Sequence, residues 1–543
     1  MSVDIFPSLD RFPSVRCSRS KEGYGQGVQI AAIDLGSNSF HLVVAQVQPD
    51  GTFTPTIREK EMLHLGEDVT RFGEIPQASA DAAVSAIRRF RKLAEAAGAV
   101  EIHAKATSAI RSAENGAALV DRIEAEAGVV VDVIDGLEEA RLIFTAIRAA
   151  VVLDPGPAIC FDLGGGSLEI AVGDLNGLQF AASERLGVGR LTAMYAEQDP
   201  LSDASRRSMR EHCISLLSPI AEQVKKIGAL LAVGSSGTFE AIATMVAFAR
   251  DKNAPTSLNQ FLFTYEEFLP LYQTITRATQ SERRAIPGMD SKRVDLIAAG
   301  AVVLRSIFEV FDLKSMTISD WALREGIVLD AIAQHEPEEW TGEPESIRRG
   351  SVLGLARRCS WPEAHSLHVS KLALQCFDTT QDIHGLNLED RELLEYAAIL
   401  HDIGEHVAHE GHEKHAAYLV RHGELRGFSP AEITMIVALV RWHRRGEVRS
   451  DSRTGDLDRY ALQKCRILTG LLRIADGLDR SRHQVVTDIQ VSSNPSLILF
   501  RLSTRLDPEL EIWGARRKRG VLETTLGRDV EFTAHPARRE TAS

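Results

Sequence analysis

Ala31 to Val47 reads AAIDLGSNSFHLVVAQV, and Ile159 to Leu175 reads ICFDLGGGSLEIAVGDL. Each is a short apolar run ending in Asp-Leu-Gly, then a loop of small residues, then a second apolar run. Short runs of this kind on both sides of a tight loop predict a hairpin between two strands. A Gly/Ser/Asn loop exposes backbone N–H groups with no side chain in the way, which suits a phosphate group. Asp34 and Asp162 end the incoming strands, where each can reach a metal ion that accompanies the phosphate. Two such loops predict a duplicated domain that grips one anionic ligand between its halves.

Outward from these loops, strands and helices alternate in each half. Strands lead to a helical stretch at Ala80 to Ala97. From Pro157 the order restarts, with a helix at Arg206 to Ile227 and a strand at Ala229 to Val233. Alternation of this kind indicates α/β layers. HEPEEWTGEP, from His335 to Pro344, reads as a linker. Beyond it the pattern is helical and rich in histidine as far as about Ser481, and alternating again from Val485. The expected segments are therefore a tail at 1–27, halves at 28–150 and 151–334, a helical unit at 345–484, a small β-containing unit at 485–535 and a tail at 536–543.

Composition narrows the function classes. A chain of 543 residues, 44% hydrophobic and 25% charged, is an ordinary globular protein, with room for roughly three or four domains. No apolar run approaches a membrane span, and residues 1–27 lack the apolar core of a signal peptide. The six cysteines are scattered without a Cys-x-x-Cys pair, which predicts free thiols and a cytoplasmic location. A net charge of −13 argues against a general nucleic-acid binder. The basic residues still cluster, at Arg88 to Lys92, Arg441 to Arg453 and Arg516 to Arg519. Each cluster is either a solvated helix face or a local positive potential that guides a polyanion.

Four further segments complete the pattern: ATSAIR at 106–111, IDGLEEAR at 134–141, ERLGVGRLT at 184–192 and GSSGTFEA at 234–241. Singly each is an ordinary turn or helix start. In this order and spacing they resemble the exopolyphosphatase and guanosine pentaphosphate phosphohydrolase (Ppx/GppA) family, over about residues 28–335. That resemblance implies an α/β fold of duplicated ribonuclease H-like (actin-like ATPase) domains. An all-α HD-like domain and a small C-terminal α+β domain would follow. It also implies magnesium-dependent transfer of a terminal phosphoryl group to water in the cleft between the halves, and leaves dependence on potassium open.

The family's catalytic glutamate matches Glu139, although the residues alone leave Glu138 as an alternative, with Glu139 capping a helix. Arg111 matches a phosphate-contacting arginine, whose guanidinium fork suits two phosphoryl oxygens. Asp162 and Glu169, with Asp34 opposite, match metal-holding acids. Ser37, Asn38, Gly164, Gly165, Gly166 and Ser167 would donate to phosphate. Gly234, Ser235, Ser236, Gly237 and Thr238 match the superfamily's nucleotide loop, here facing the phosphate chain, and Arg190 is a further contact.

In the helical unit, AHSLHVS at 364–370, ILHDIG at 399–404 and LLRIADGLD at 471–479 resemble the HD-domain metal phosphohydrolases. His365, His401, Asp402 and Asp476 would be ligands for a transition metal, with His409, His415 or His443 as additions. Packing, dimerisation and substrate channelling are the alternative roles of this region. Glu405 stands where many active HD proteins carry lysine. The resemblance thus implies inorganic polyphosphate as substrate, processively shortened, and a homodimer built through the C-terminal region. Guanosine pentaphosphate hydrolysis and a non-hydrolytic sensor of polyphosphate or alarmone remain as alternatives, and a kinase reading of the same fold fits less well.

Overall fold

The computed structural model describes residues 28–48, 52–153, 155–251, 257–334, 344–450 and 457–536. The tail expected at 1–27 lies outside the described residues. So do residues 335–343 of the linker and the tail after Pro536, whereas Pro344 already begins a helix.

Both quoted segments fold as hairpins. Val28–Leu35 (β1) pairs antiparallel with Ser39–Val47 (β2), and Phe53–Met62 (β3) adds to β2. Ala99–Ala106 (β4) and Val131–Val133 (β5) extend the sheet in parallel on the other side of β1. The second half repeats this plan. Ala158–Leu163 (β6), Leu168–Asp174 (β7) and Gly177–Glu184 (β8) form the meander. Leu231–Ser235 (β9) pairs parallel with β6. Leu262–Thr264 (β10) and Ser315–Ile318 (β11) complete the sheet, with β11 parallel to β9 and β10 an added antiparallel edge. The sheet orders are β3-β2-β1-β4-β5 and β10-β11-β9-β6-β7-β8. Read as β8-β7-β6-β9-β11, the second order repeats the first, β3-β2-β1-β4-β5, as the ribonuclease H-like expectation requires. The inner strands are apolar throughout because they are covered on both faces: every residue of β6 is buried.

Two helices cross between the sheets, and they are exchanged. The helix Gly136–Ala150 follows β5 of the first half but packs on β7 and β8 of the second. Leu323–Ala333, at the end of the second half, packs on β1 and β2 of the first. The two helices also pack on each other, and a Cβ on Gly326 would collide with the Leu142 carbonyl. Only glycine permits so close a backbone approach. One buried cluster accordingly joins Ile30, Ala32 and Val43 of the first sheet to Cys160 and Ala171 of the second through Leu142, Ile143, Ile327 and Val328. The cleft between the halves is therefore walled by the first turns of the exchanged helices.

The C-terminal region starts with the helix Pro344–Arg358 and continues through helices at Glu363–Thr379, Leu388–Leu400, His412–His422, Pro430–Trp442 and Arg459–Gly477. Val486–Ser493 (β12), Leu497–Thr504 (β13) and Asp529–Pro536 (β14) form a three-stranded sheet. A single core runs from Val352 to Phe532 through both the helices and this sheet.

The five cysteines among the described residues are all buried free thiols. No helix of the described residues is long and apolar enough to cross a membrane.

Candidate functional site at the junction of the two loops

The two Asp-Leu-Gly loops meet face to face. A Cβ on Gly165 would lie 3.0 Å from the Asn38 Cβ, and one on Gly166 would lie 2.6 Å from the Ser37 Oγ and 2.7 Å from the Ser108 Oγ. Side chains at those positions would push the halves apart, which is the local reason for a Gly-Gly-Gly loop. Between the loops lies a cavity of about 260 Å³. Asp34, Ser37, Asn38, Glu139, Asp162, Gly164, Gly165, Gly166, Ser167, Ser236, Gly237 and Thr238 all line it.

Cross-strand register explains the acids. Directly opposed residues of an antiparallel pair share a face. Asp162 pairs with Glu169, and in the first half Asp34 pairs with His41. The duplication thus places a carboxylate in one copy where the other has an imidazole. Asp162 is buried, and its Oδ2 accepts a hydrogen bond of 2.6 Å from the Ser235 Oγ. Glu169 is 2% exposed and accepts from the Ser183 Oγ at 2.9 Å. Asp34 opens partly to the cavity, yet its Oδ1 is buried with no hydrogen-bond partner among the described residues.

The acidic pair is resolved by the helix start. Asp135 is the cap: its side chain accepts from the N–H groups of Leu137 and Glu138. Neither glutamate is needed for that. Glu138 turns outward to Arg141, at 2.7 Å on both oxygens. Glu139 is 7% exposed and faces the cavity, with its Oε2 3.2 Å from the Arg111 Nη1.

Crowding of these acids raises their pKa values. Burial, helped by the Asp162 charge and opposed by Arg324, pushes Asp34 up to about 7. Burial likewise lifts Asp162 to about 6 and, with Asp162 beside it, Glu169 to about 7. Glu139 is raised well above the usual carboxylate range, by burial first and then by the Glu169 charge. Without a cation the cleft therefore holds protons near neutral pH. A divalent ion replaces them naturally, because it favours the ionised form of every carboxylate it touches.

Some expected site residues stand behind the cavity wall. Ser235 is fully buried and orients Asp162, and the neighbouring Gly234 is packed under Met316 and Phe239. The Arg190 Nε donates to the Gly166 carbonyl at 3.3 Å, bracing the loop from outside. Glu169 lies beneath the floor. Arg111 donates to the Ile134 carbonyl and to Glu139 rather than lining the cavity. Ser236, by contrast, is in the wall with φ of 92° and a buried hydroxyl that has no partner among the described residues. A left-handed serine at the start of the helix Gly237–Asp251 is strained backbone of the kind found where a loop closes on a ligand. The amides of Gly237 and Thr238 begin that helix and add the positive end of its dipole.

The cationic wall was not foreseen. Lys60, Arg293 and Arg324 line the cavity together with His41 and Glu240. The Arg324 Nη1 donates to the His41 Nδ1 at 3.1 Å, and His41 stays neutral because burial and Arg324 hold its pKa well below the usual value. Burial beside Arg293 brings Lys60 down to about 8. The available signal was the second helix start, Leu323-Arg324-Glu325-Gly326, which occupies in the second half the place of Leu137-Glu138-Glu139-Ala140 in the first. Glu240 and Arg324 also line an adjoining cavity of about 480 Å³. Its wall carries Arg58, Arg358, Arg421 and Arg426, so it reaches into the C-terminal region.

The basic clusters expected from sequence are largely paired. Arg88, Arg89 and Arg91 bind Glu126, Glu61 and Glu95 on the surface. Arg441 and Arg444 face Glu413, and Arg516 and Arg519 face Glu531. In the C-terminal region His365, His401, Asp402 and Asp476 do converge, with the His365 Nε2 3.7 Å from Asp402 and 3.9 Å from Asp476. His443 joins them, whereas His409 is an exposed partner of Glu405 and His415 stands outside the groups that could hold a metal.

The chain resembles known proteins along most of this length. Residues 43–335 match the Ppx/GppA phosphatase family, and residues 347–503 match Ppx/GppA phosphatase, domain III. Exopolyphosphatase 1 of Mycobacterium leprae is 34% identical over 303 residues, 56% of this chain and 89% of that protein. Exopolyphosphatase 1 of Mycobacterium tuberculosis is 32% identical over 303 residues, 56% of this chain and 88% of the relative. Among solved structures, an exopolyphosphatase from Cytophaga hutchinsonii aligns with a TM-score of 0.53 at 28% identity, covering 56% of this chain and 98% of its own. The Aquifex aeolicus member of the Ppx/GppA family aligns at 0.50 and 25% identity, covering 57% and 99%. With both stretches matched and the duplicated loops in register, the chain belongs to the Ppx/GppA phosphatase family.

Proposed function

We propose that this protein is an exopolyphosphatase, which releases orthophosphate from the end of inorganic polyphosphate in the cleft between the two loops. One observation carries this reading. A donor-lined cavity opposes a group of proton-holding carboxylates to Arg293, Arg324 and Lys60, and adjoins a second, arginine-lined cavity. A terminal phosphate fits the first cavity, and the rest of a polyanionic chain fits the second. The close relatives named exopolyphosphatase agree with it.

The residues fit a hard divalent cation, magnesium in our reading, because the orphaned Asp34 Oδ1 and the neighbouring carboxylates offer only oxygen. Asp34, Asp162 and Glu169 would hold it, directly or through water. When bound it neutralises charge on the phosphoryl oxygens.

The chain's own groups do the rest. Ser37, Asn38, the Gly165 and Gly166 amides and Thr238 fix the terminal phosphoryl group, whereas the expected Gly164 amide is taken by the Ser167 carbonyl at 3.0 Å; Arg324 and Arg293 balance the charge of the chain behind it. Glu139 orients a water against phosphorus and accepts its proton as the new P–O bond forms. The bridging P–O bond breaks with its electron pair on the shortened chain. Arg111 positions the Glu139 carboxylate. Positioning and charge neutralisation are what phosphoryl transfer demands of a protein.

The test is phosphate release from long-chain polyphosphate with magnesium, by wild type and Glu139→Ala, beside the same assay on guanosine pentaphosphate. Release by wild type and not by the variant is expected. Failure of the wild type on polyphosphate would sink the proposal, and faster turnover of the nucleotide would reassign the substrate.

A further inference from the structure

Opposed residues run in a column across each sheet, and the two columns occupy matching places in the duplicated plan. Across β1, β2 and β3 the column is Asp34, His41 and Lys60. Across β6, β7 and β8 it is Asp162, Glu169 and Ser183. The first member is an aspartate in both. The second is an imidazole in one sheet and a carboxylate in the other, and that exchange decides what each wall can hold.

His41 meets a side chain from the far end of the fold. Arg324 stands in the first turn of the exchanged helix Leu323–Ala333, and its Nη1 lies 3.1 Å from the His41 Nδ1. A guanidinium only donates, so Nδ1 must present a lone pair and the ring proton must sit on Nε2. The Ser39 Oγ, 2.8 Å from that Nε2, accepts it. Ser39 is buried, so both the tautomer and the plane of the ring are fixed from behind. The geometry therefore requires a neutral imidazole. Burial, then the charges of Arg324, Lys60 and Arg293, hold its pKa well below the usual value, in agreement.

Arg324 is gripped on two sides. Its Nη1 is taken by His41, and its Nε lies 3.5 Å from the Oε1 of Glu325, which is fully buried. A guanidinium carries more N–H donors than these contacts use, and Arg324 lines both the cleft and the adjoining arginine-lined cavity. Glu325 already answers its charge from inside the wall. A carboxylate at position 41, like Glu169 in the matching place, would grip Arg324 at least as firmly. It would also leave the three groups with a net negative charge, which repels a polyanion. The imidazole accepts the same hydrogen bond and adds no charge.

We infer that His41 is a positioning residue for anion binding in the cleft: its neutral acceptor orients Arg324 while leaving the guanidinium its attraction for the phosphate chain. The inference rests on the cleft holding a phosphate chain, as proposed above, and adds which residue sets affinity on the wall facing the metal-binding acids of the second half. Both ring nitrogens of His41 are engaged, so its effect passes through Arg324 and falls on binding instead of on the chemical step.

Three substitutions separate orientation from charge. His41→Asn offers an uncharged oxygen near the place of Nδ1, His41→Asp a charged one, and His41→Ala none. Tripolyphosphate with magnesium is titrated calorimetrically into the full-length protein, with Glu139→Gln as the common background to stop turnover. The same three changes with Glu139 intact are assayed for phosphate release. His41→Asn should bind within about threefold of the parent and His41→Ala about tenfold more weakly, the size of one hydrogen bond to a charged group. His41→Asp should bind more weakly still. In the release assay these losses should appear in KM, with kcat little changed, and Arg324→Ala should make the three variants alike. Thermal midpoints check that each folds, and the Asn–Asp comparison, which keeps shape and hydrogen bond, decides the matter if His41→Ala does not. Equal binding by His41→Asp and His41→Asn would mean that His41 merely holds the helix, and equal binding by His41→Ala and the parent that Arg324 needs no guide. No binding by the parent would mean that phosphate does not enter the cleft. Each of these overturns the inference. The expected order of affinities, without phosphate release by the wild type, upholds it and sinks the exopolyphosphatase reading instead.

Discussion

Glu139 is held by three local facts: Asp135 caps its helix, Glu138 is engaged by Arg141, and Arg111 takes one of its oxygens. Glu139→Gln keeps the shape and removes the base proposed above. Its kcat should fall by about 10²–10⁴, the usual contribution of general base catalysis, with KM little changed in steady-state phosphate release. The raised acids make a second expectation. Asp34, Asp162 and Glu169 hold protons up to about 7, 6 and 7 that the unfolded chain gives up at lower pH. Between the unfolded and folded values the native state binds more protons, so their contribution to stability is present at low pH and is lost as pH rises through about 6–7. Thermal midpoints without metal should decline over that range, and less steeply in Asp162→Asn. Magnesium should expel these protons. Calorimetry at pH 6.5 in buffers of different ionisation enthalpy should give different binding heats, and identical heats would refute proton release.

At the scale of elements, the glycine loops matter through contact. Gly166→Ala places a methyl 2.6 Å from the Ser37 Oγ and 2.7 Å from the Ser108 Oγ. Overpacking of that kind costs roughly 1–3 kcal/mol, and here the relief is to part the loops. Activity should therefore fall further than stability, measured as kcat/KM against the denaturant midpoint. Loss of both in proportion would mean that the loop is merely structural. The hairpins themselves were legible: Ala31 to Val47 and Ile159 to Leu175 fold as strand, loop and strand because their apolar runs are short and broken by small residues. The helix at Ala80 to Ala97 and the one at Arg206 to Ile227 were legible by period, and the structure puts them at Gln77–Ala96 and Asp203–Ile227. The exchange of Gly136–Ala150 and Leu323–Ala333 between sheets was not, because a helix with apolar residues around most of its surface does not name its partner sheet.

At the scale of the molecule, the arginine-lined cavity ties the C-terminal region to the cleft. The Arg58–Glu424 pair joins β3 to the loop that follows the His412–His422 helix. Arg358 bonds Thr54 and the Gly423 carbonyl, and Arg426 lies over the Trp321 ring. If the polyphosphate chain runs through this cavity, Arg358→Ala should raise KM for long chains several-fold while leaving tripolyphosphate nearly unchanged. Added salt should weaken the long-chain preference, since exposed charges are screened beyond about 8 Å at physiological ionic strength. Equal KM shifts for both substrates would show that the chain leaves by another route.

The amino-acid sequence by itself determined the duplicated hairpins and the small-residue loops that Asp34 and Asp162 introduce, because these follow from side-chain pattern over a few residues. Glu139 and Glu169 were singled out only by the family resemblance, and the helix start at Asp135 then separated Glu139 from Glu138. Only the tertiary structure decided what stands opposite those acids. Arg324 meets His41 across 283 residues of chain, and Lys60 and Arg293 reach the same cavity from separate elements. It also separated wall from support, placing Ser235, Gly234 and Arg190 behind the loops they brace. In the C-terminal region the buried His412 comes within 3.2 Å of Asp402 while its neighbour His409 stands exposed beside Glu405, since the direction of a side chain is set only in the folded state. A local pattern fixes what an element is and which residues it carries, whereas packing between distant elements fixes which of those residues meet.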